Sequence, residues 1–122
     1  MPNAQYEIMN NYFQRLCKSS DLEKKLQDFA CGIGFSDGGT ICVFADDPDE
    51  NDPHQLREFP ELVGFEGVGF FSDYYPEPLL INYQEFYDNL KAYVGEYVSK
   101  QSSNYKEVLK YLEKIRLRYS LK

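Results

Sequence analysis

Apolar residues recur at helical intervals from the start of the chain. Tyr6, Met9, Phe13, Leu16 and Cys17 share one side of a 3.6-residue repeat, which predicts an amphipathic helix over about residues 3–17. Ser20 and Glu23 then form an S-x-x-E capping pattern ahead of Leu22, Leu26, Phe29 and Ala30, and Gly32 stands where a helix-terminating glycine belongs. A second helix is expected over about 21–31. From Gly32 the period changes. Ile33 and Phe35, the turn-prone Ser36-Asp37-Gly38-Gly39, and Thr40 to Phe44 read either as a hairpin or as one strand behind a glycine-rich turn. Phe65 to Phe71 reads as a glycine-bearing strand. Leu79-Leu80-Ile81, set off by Pro76 and Pro78, reads as a short third one.

Asn82, with Glu85 three positions on, marks another helix start. Tyr83, Phe86, Tyr87, Leu90, Tyr93, Val94, Tyr97 and Val98 fall within an arc of about 140°, predicting a long helix over about 83–100. A tyrosine-rich stripe can be a binding face, since tyrosine is enriched at interfaces; packing against the sheet is the stronger reading. After the polar break Gln101 to Asn104, Tyr105, Val108, Leu109, Leu112, Ile115 and Tyr119 form a further stripe. Lys106, Lys110, Lys114 and Arg118 line the other side, a solvated face that partly complements acidic residues elsewhere. The order α-α-β-β-β-α-α predicts one α+β domain over 1–122, a small three-stranded antiparallel sheet packed with an N-terminal and a C-terminal helix pair.

Charge changes the picture more than composition does. The 122 residues carry a formal net charge of −7, but residues 28–90 hold −13 of it, with Arg57 their single basic residue. The flanking stretches 1–27 and 91–122 are net +1 and +5. The densest acidic run is Asp46-Asp47-Pro48-Asp49-Glu50-Asn51-Asp52-Pro53. A net excess of carboxylates opposes binding to phosphates or to an anionic membrane surface, and favours a basic partner. The sequence has neither a signal-like leader nor an apolar run long enough to span a bilayer, so a cytoplasmic location is expected. Cys17, Cys31 and Cys42 are odd in number and widely spaced, which suits small buried thiols better than a disulfide framework or a zinc site.

Candidate chemistry is thin. Asp47-x-Asp49-x-Asn51 with Glu58 at the twelfth position matches much of an EF-hand, but Asp52 stands where the loop needs glycine, and Pro48 and Pro53 stiffen it. Gly32-Ile33-Gly34 follows a helix instead of a strand, and Asp37 takes the third glycine position of a dinucleotide fingerprint. His54 is the sole histidine; spacing alone allows a nucleophilic pair with Cys42, but a free cysteine is usually a small core residue and Cys42 lies within a strand pattern. No catalytic residue, metal or cofactor is assigned.

The segments taken together resemble contact-dependent growth inhibition immunity proteins, the ribonuclease-toxin immunity family called CdiI. The carrying blocks are Gly32-Ile33-Gly34-Phe35-Ser36-Asp37 before Cys42-Val43-Phe44, then Asp46-Asp47-Pro48-Asp49-Glu50, Phe65-Glu66-Gly67-Val68, and Ile81-Asn82-Tyr83-Gln84-Glu85-Phe86-Tyr87-Asp88-Asn89-Leu90. They cover about residues 28–119, and their specificity lies in appearing together in order. Asn82, where serine is common, and a longer insert from Pro53 to Leu62 depart from the pattern. The resemblance implies a non-enzymatic cytoplasmic protein that binds a cognate toxin C-terminal domain one-to-one and blocks a nuclease, in this family typically one that cuts transfer RNA. The expected toxin-binding residues are Asp46, Asp47, Asp49, Glu50 and Asp52, with Asp73, Tyr74, Tyr75 and Glu77 as a second acidic-aromatic segment. The competing readings are a small acidic module for another basic partner and a calcium-binding domain.

Overall fold

The computed structural model describes residues 6–46, 59–62, 64–73, 75 and 77–122. Four helices form where the periodicity places them: α1 Tyr6–Cys17, α2 Leu22–Ala30, α3 Tyr83–Tyr97 and α4 Tyr105–Arg118. The strands are β1 Ser36–Asp37, β2 Thr40–Phe44, β3 Gly67–Ser72 and β4 Leu79–Asn82, in the spatial order β1-β2-β3-β4 with every pair antiparallel. The sheet therefore has four strands, not three. The additional strand is two residues long, too short for alternation to reveal. It forms because Gly38 and Gly39 take φ of 57° and 82°, a two-residue turn that brings Ser36 opposite Ile41 and Asp37 opposite Thr40. Of the two readings of residues 33–44, the hairpin holds.

The helix ends are set locally. α2 stops as its glycine predicts: Gly32 has φ +75°, its N–H donates to Phe29 O, and the Ile33 N–H donates to Asp28 O, the paired bonds of a Schellman motif. α4 closes the same way around Ser120, at φ 53°, with Ser120 N–H to Leu117 O and Leu121 N–H to Arg116 O. Asn82 caps α3, its side chain accepting from the Glu85 N–H at 2.8 Å. The S-x-x-E pattern before α2 does not form its box. The N-cap is Asp21, which caps no backbone N–H through its side chain, and its carboxylate instead accepts from the Ser19 hydroxyl.

Alternation along the strands separates the two faces of the sheet. Cys42, Phe44, Val68, Phe70, Leu79 and Ile81 join the core with α1 and α3, while α2 packs chiefly on α4. The opposite face carries Ile41, Val43, Gly69 and Phe71. A 3₁₀ turn, Pro60–Leu62, packs there on β3, and Val43 and Leu62 are both buried outside the main core. The glycines of β3 are closely enclosed by β4 and by neighbouring rings. A Cβ on Gly67 would come within 2.6 Å of the Phe65 ring and 2.1 Å of Ile81 O, and one on Gly69 within 2.6 Å of the Phe71 ring.

Two glycine substitutions should therefore move stability in opposite directions. Gly67→Ala has a backbone oxygen in its way and should lose about 1–3 kcal/mol. Gly95→Ala, in α3 with nothing within 4 Å of its added methyl, should gain about 0.5–1 kcal/mol. Urea midpoints of the two variants against the parent chain check both signs.

Candidate functional site

The register of β2 separates the expected site residues. Thr40 pairs with Ser72 and Phe44 with Val68. The Gly38-Gly39 turn and the β3–β4 connection carrying Asp73, Tyr75 and Glu77 thus lie at one end of the sheet. Asp46 lies beyond the other end, past a strand of about 13 Å at 3.3 Å per residue. Asp47, Asp49, Glu50, Asp52 and Tyr74 lie outside the described residues, as do His54 and the remaining EF-hand positions Asn51 and Glu58.

Asp46 is held from within. Its Oδ1 accepts from the Tyr119 hydroxyl at 2.8 Å and its Oδ2 from Arg118 Nη2 at 3.2 Å. Both donors come from the Schellman end of α4. The Tyr119 ring stacks on Tyr83 at a centroid distance of 3.9 Å and lies 6.1 Å from Phe44, so three elements fix the hydroxyl's position. Arg118 passes over the end of α2, where a Cβ on Gly32 would stand 2.7 Å from Nη2. The arginine and aspartate side chains keep 32% and 41% of their exposure, so the ion pair itself contributes about 0–1 kcal/mol. Burial raises the Tyr119 pKa well above its ordinary value; Arg118 opposes the rise and the Asp46 carboxylate adds to it, so the hydroxyl stays a donor. The sequence places Arg118 on a solvated basic row; its partner is 72 positions away, and no local signal announces it.

The other end is more open. Asp73 and Glu77 are exposed and make no ion pair with a described residue. The Asp73 N–H donates to Gly39 O at 3.3 Å, tying the β3–β4 connection to the turn. Tyr75 is half-buried against the core and donates its hydroxyl to Glu7 Oε2 at 3.2 Å. Beside them a hollow of about 590 Å³ is lined by Asp37, Gly39, Ile41, Phe59, Phe71 and Asp73, among others. Asp37, Ile41, Phe59 and Phe71 are not among the expected site residues. Only the Asp-Gly-Gly turn hints at their place, because the hollow arises from strand pairing.

Neither Cys17 nor Cys42 is an activated nucleophile. Cys42 points into the core beside Tyr12, and burial raises its thiol pKa far above normal; Cys17 is pushed up to about 11 by burial. A reactive cysteine needs the opposite shift. Among the described residues no group of three or more His, Cys, Asp or Glu is placed to hold a metal ion, and no helix is long and apolar enough to cross a membrane.

The family model of the CDI immunity proteins, CdiI_4, matches residues 5–112, and the chain belongs to this family. No curated protein and no solved structure matches it.

Removing the Tyr119 hydroxyl alone should show what the corner contributes. Tyr119→Phe keeps the stack on Tyr83 and should lose about 1 kcal/mol, the worth of one hydrogen bond. Asp46→Asn combined with it should add about 0–1 kcal/mol, the worth of the exposed Arg118 pair that Tyr119→Phe leaves in place; denaturant unfolding of the double-mutant cycle measures the coupling. Alkaline pH should also weaken the fold. The folded state holds the Cys17 proton to about pH 11, against 9.0 for an ordinary thiol. The native chain thus binds more protons than the unfolded one in that window. That stability is complete below pH 9 and lost as pH rises through 11, which urea midpoints from pH 8 to 11 would record.

Proposed function

We propose that this member of the CDI immunity family binds the C-terminal domain of its cognate toxin one-to-one in the cytoplasm, and that the toxin is a ribonuclease acting on transfer RNA. It acts by occupying surface, with no catalysis of its own. The observation that carries the reading is the concentration of −13 charges in residues 28–90 of a chain that belongs to this family. An enzyme that cuts RNA must hold phosphates and so presents a basic cleft. A carboxylate-rich surface competes for that cleft directly, and complementary charge raises the rate at which an incoming toxin is caught.

The contact surface we propose comprises Asp46, Asp47, Asp49, Glu50 and Asp52, with Asp73, Tyr74, Tyr75 and Glu77. Its members have unequal roles. Asp46 is engaged by Arg118 and Tyr119, which suits it to anchor the base of the acidic run, leaving the outward work to the carboxylates that follow. Asp73 and Glu77 need no rearrangement to meet a cation. Tyr75, packed against the core and bonded to Glu7, offers a ring edge that is already ordered.

Co-expression with the toxin domain encoded directly upstream should rescue growth, and the purified pair should associate more slowly as salt rises. Changing Asp47, Asp49 and Glu50 together to lysine should weaken the complex at least tenfold without altering the melting temperature. Failure to protect cells, with no complex at low salt, would sink the toxin-binding reading. Full affinity in the triple variant would move the contact away from the acidic run. A bound toxin without ribonuclease activity would overturn the substrate assignment alone.

A further inference from the structure

Where the β1–β2 turn meets α1, polar side chains border the inner face of the sheet. Asp37 and Thr40 are register partners and share that face, as Thr40 and Ser72 do, and Asn11, Tyr12 and Arg15 of α1 stand beside them. They border a recess of about 90 Å³, room for about three waters at about 30 Å³ each. Two of its hydroxyls are engaged: Tyr12 donates to Phe35 O at 2.8 Å, and Tyr75 donates to Glu7. Three other groups are not. Thr40 is only 9% exposed, and its hydroxyl has no hydrogen-bond partner among the described residues. Arg15 lies on the turn, its Nη1 1.3 Å from where a Cβ on Gly38 would stand. Arg15 and Asp37 border the same recess, yet neither forms an ion pair with the other or with any described residue.

We propose that this recess receives the carboxamide of an asparagine or glutamine of the cognate toxin, its oxygen accepting from Arg15 and Thr40 and its nitrogen donating to Asp37. The inference rests on the toxin-binding reading above and names a contact within it. Unpaired opposite charges in one recess disfavour either charge in a guest, since a cation meets Arg15 and an anion meets Asp37. An apolar guest would take water from both and leave the Thr40 hydroxyl unsatisfied, at the desolvation cost of each group. A carboxamide carries two N–H donors and an acceptor oxygen in one small plane, so it bonds both sides at once and replaces the waters it displaces. The volume admits the end of a side chain and excludes a main-chain segment. The recess is continuous with the contact surface proposed above, because Tyr75 borders it and Asp73 directly follows Ser72.

The test uses the full chain and the catalytically inactive toxin domain encoded directly upstream of it, with binding measured at physiological salt. Arg15→Ala and Asp37→Ala, made separately, should each raise Kd about tenfold, the scale of a hydrogen bond to a charged group, although they change the net charge in opposite directions. Circular dichroism and melting confirm that each variant folds. Tighter binding by Arg15→Ala with weaker binding by Asp37→Ala would reduce the effect to net charge against a basic partner and overturn the proposal. Thr40→Val keeps the side-chain shape and removes a buried hydroxyl that has no partner in the free chain. It should raise Kd about fivefold while the melting temperature holds or rises. A lowered melting temperature with Kd unchanged would make the hydroxyl merely structural and overturn the proposal. In the toxin, one asparagine- or glutamine-to-alanine change should cause a similar loss that is not additive with Asp37→Ala. Additive losses for every such change would overturn it. A complex indifferent to Arg15, Asp37 and Thr40 would overturn it and leave the toxin-binding reading standing, whereas a parent chain that fails to bind the toxin overturns both.

Discussion

The fold depends on the ring of Phe86. It meets Phe13 of α1 at 5.6 Å, Phe29 of α2 at 5.3 Å, Phe44 of β2 at 5.1 Å and Phe70 of β3 at 6.3 Å, mostly edge to face. One side chain on α3 thus joins rings from both N-terminal helices and both central strands. A four-stranded sheet with a two-residue edge has little apolar area of its own, so its inner face must be closed by helices from both ends of the chain. Edge-to-face ring contacts add about 0.5–1.5 kcal/mol each beyond the area they bury. The direction of α3 decides whether they form, and Asn82, the last residue of β4 and the cap of α3, sets that direction with no intervening loop.

What was legible in the sequence was whatever is decided within a few residues. All four helices, the Gly32 terminus and the Asn82 cap follow from local backbone chemistry, and each lies where its pattern puts it. The misreadings have equally local causes. Ser20-x-x-Glu23 has the right spacing for a capping box, but Ser19 and Asp21 bond each other, and the helix starts one position later than that box requires. β1 exists only through its partner, since two residues carry no period.

The candidate site was less legible because its geometry is long-range. Charge counting finds the acidic middle but treats 28–90 as one body. The register of β2 divides it, sending Asp46 to one end of the sheet and Asp73 with Glu77 to the other. Arg118 looks like one more solvated cation on a basic row until the end of α4 turns it onto Asp46. The hollow between Phe71, Phe59 and Asp73 combines a strand, the chain beyond the acidic run and a loop, and no spacing rule connects them.

That division separates the chemistry of folding from the chemistry we propose for recognition. Stability comes from fully buried rings and aliphatic groups on the inner face, where truncating a phenylalanine costs about 3–5 kcal/mol. The outward carboxylates among the described residues contribute little to it, since exposed ion pairs are worth about 0–1 kcal/mol and Asp73 and Glu77 form no ion pair with a described residue. Asp46 is the exception, for its bonds belong to both sides: they close the corner between α2, α4 and β2, and they fix where the acidic run leaves the sheet. Outward carboxylates such as Asp73 and Glu77 can then change to follow a partner without loosening the core. On the toxin-binding reading proposed above, a rigid inner face under a charged exterior that can vary independently is the arrangement such a partner asks for.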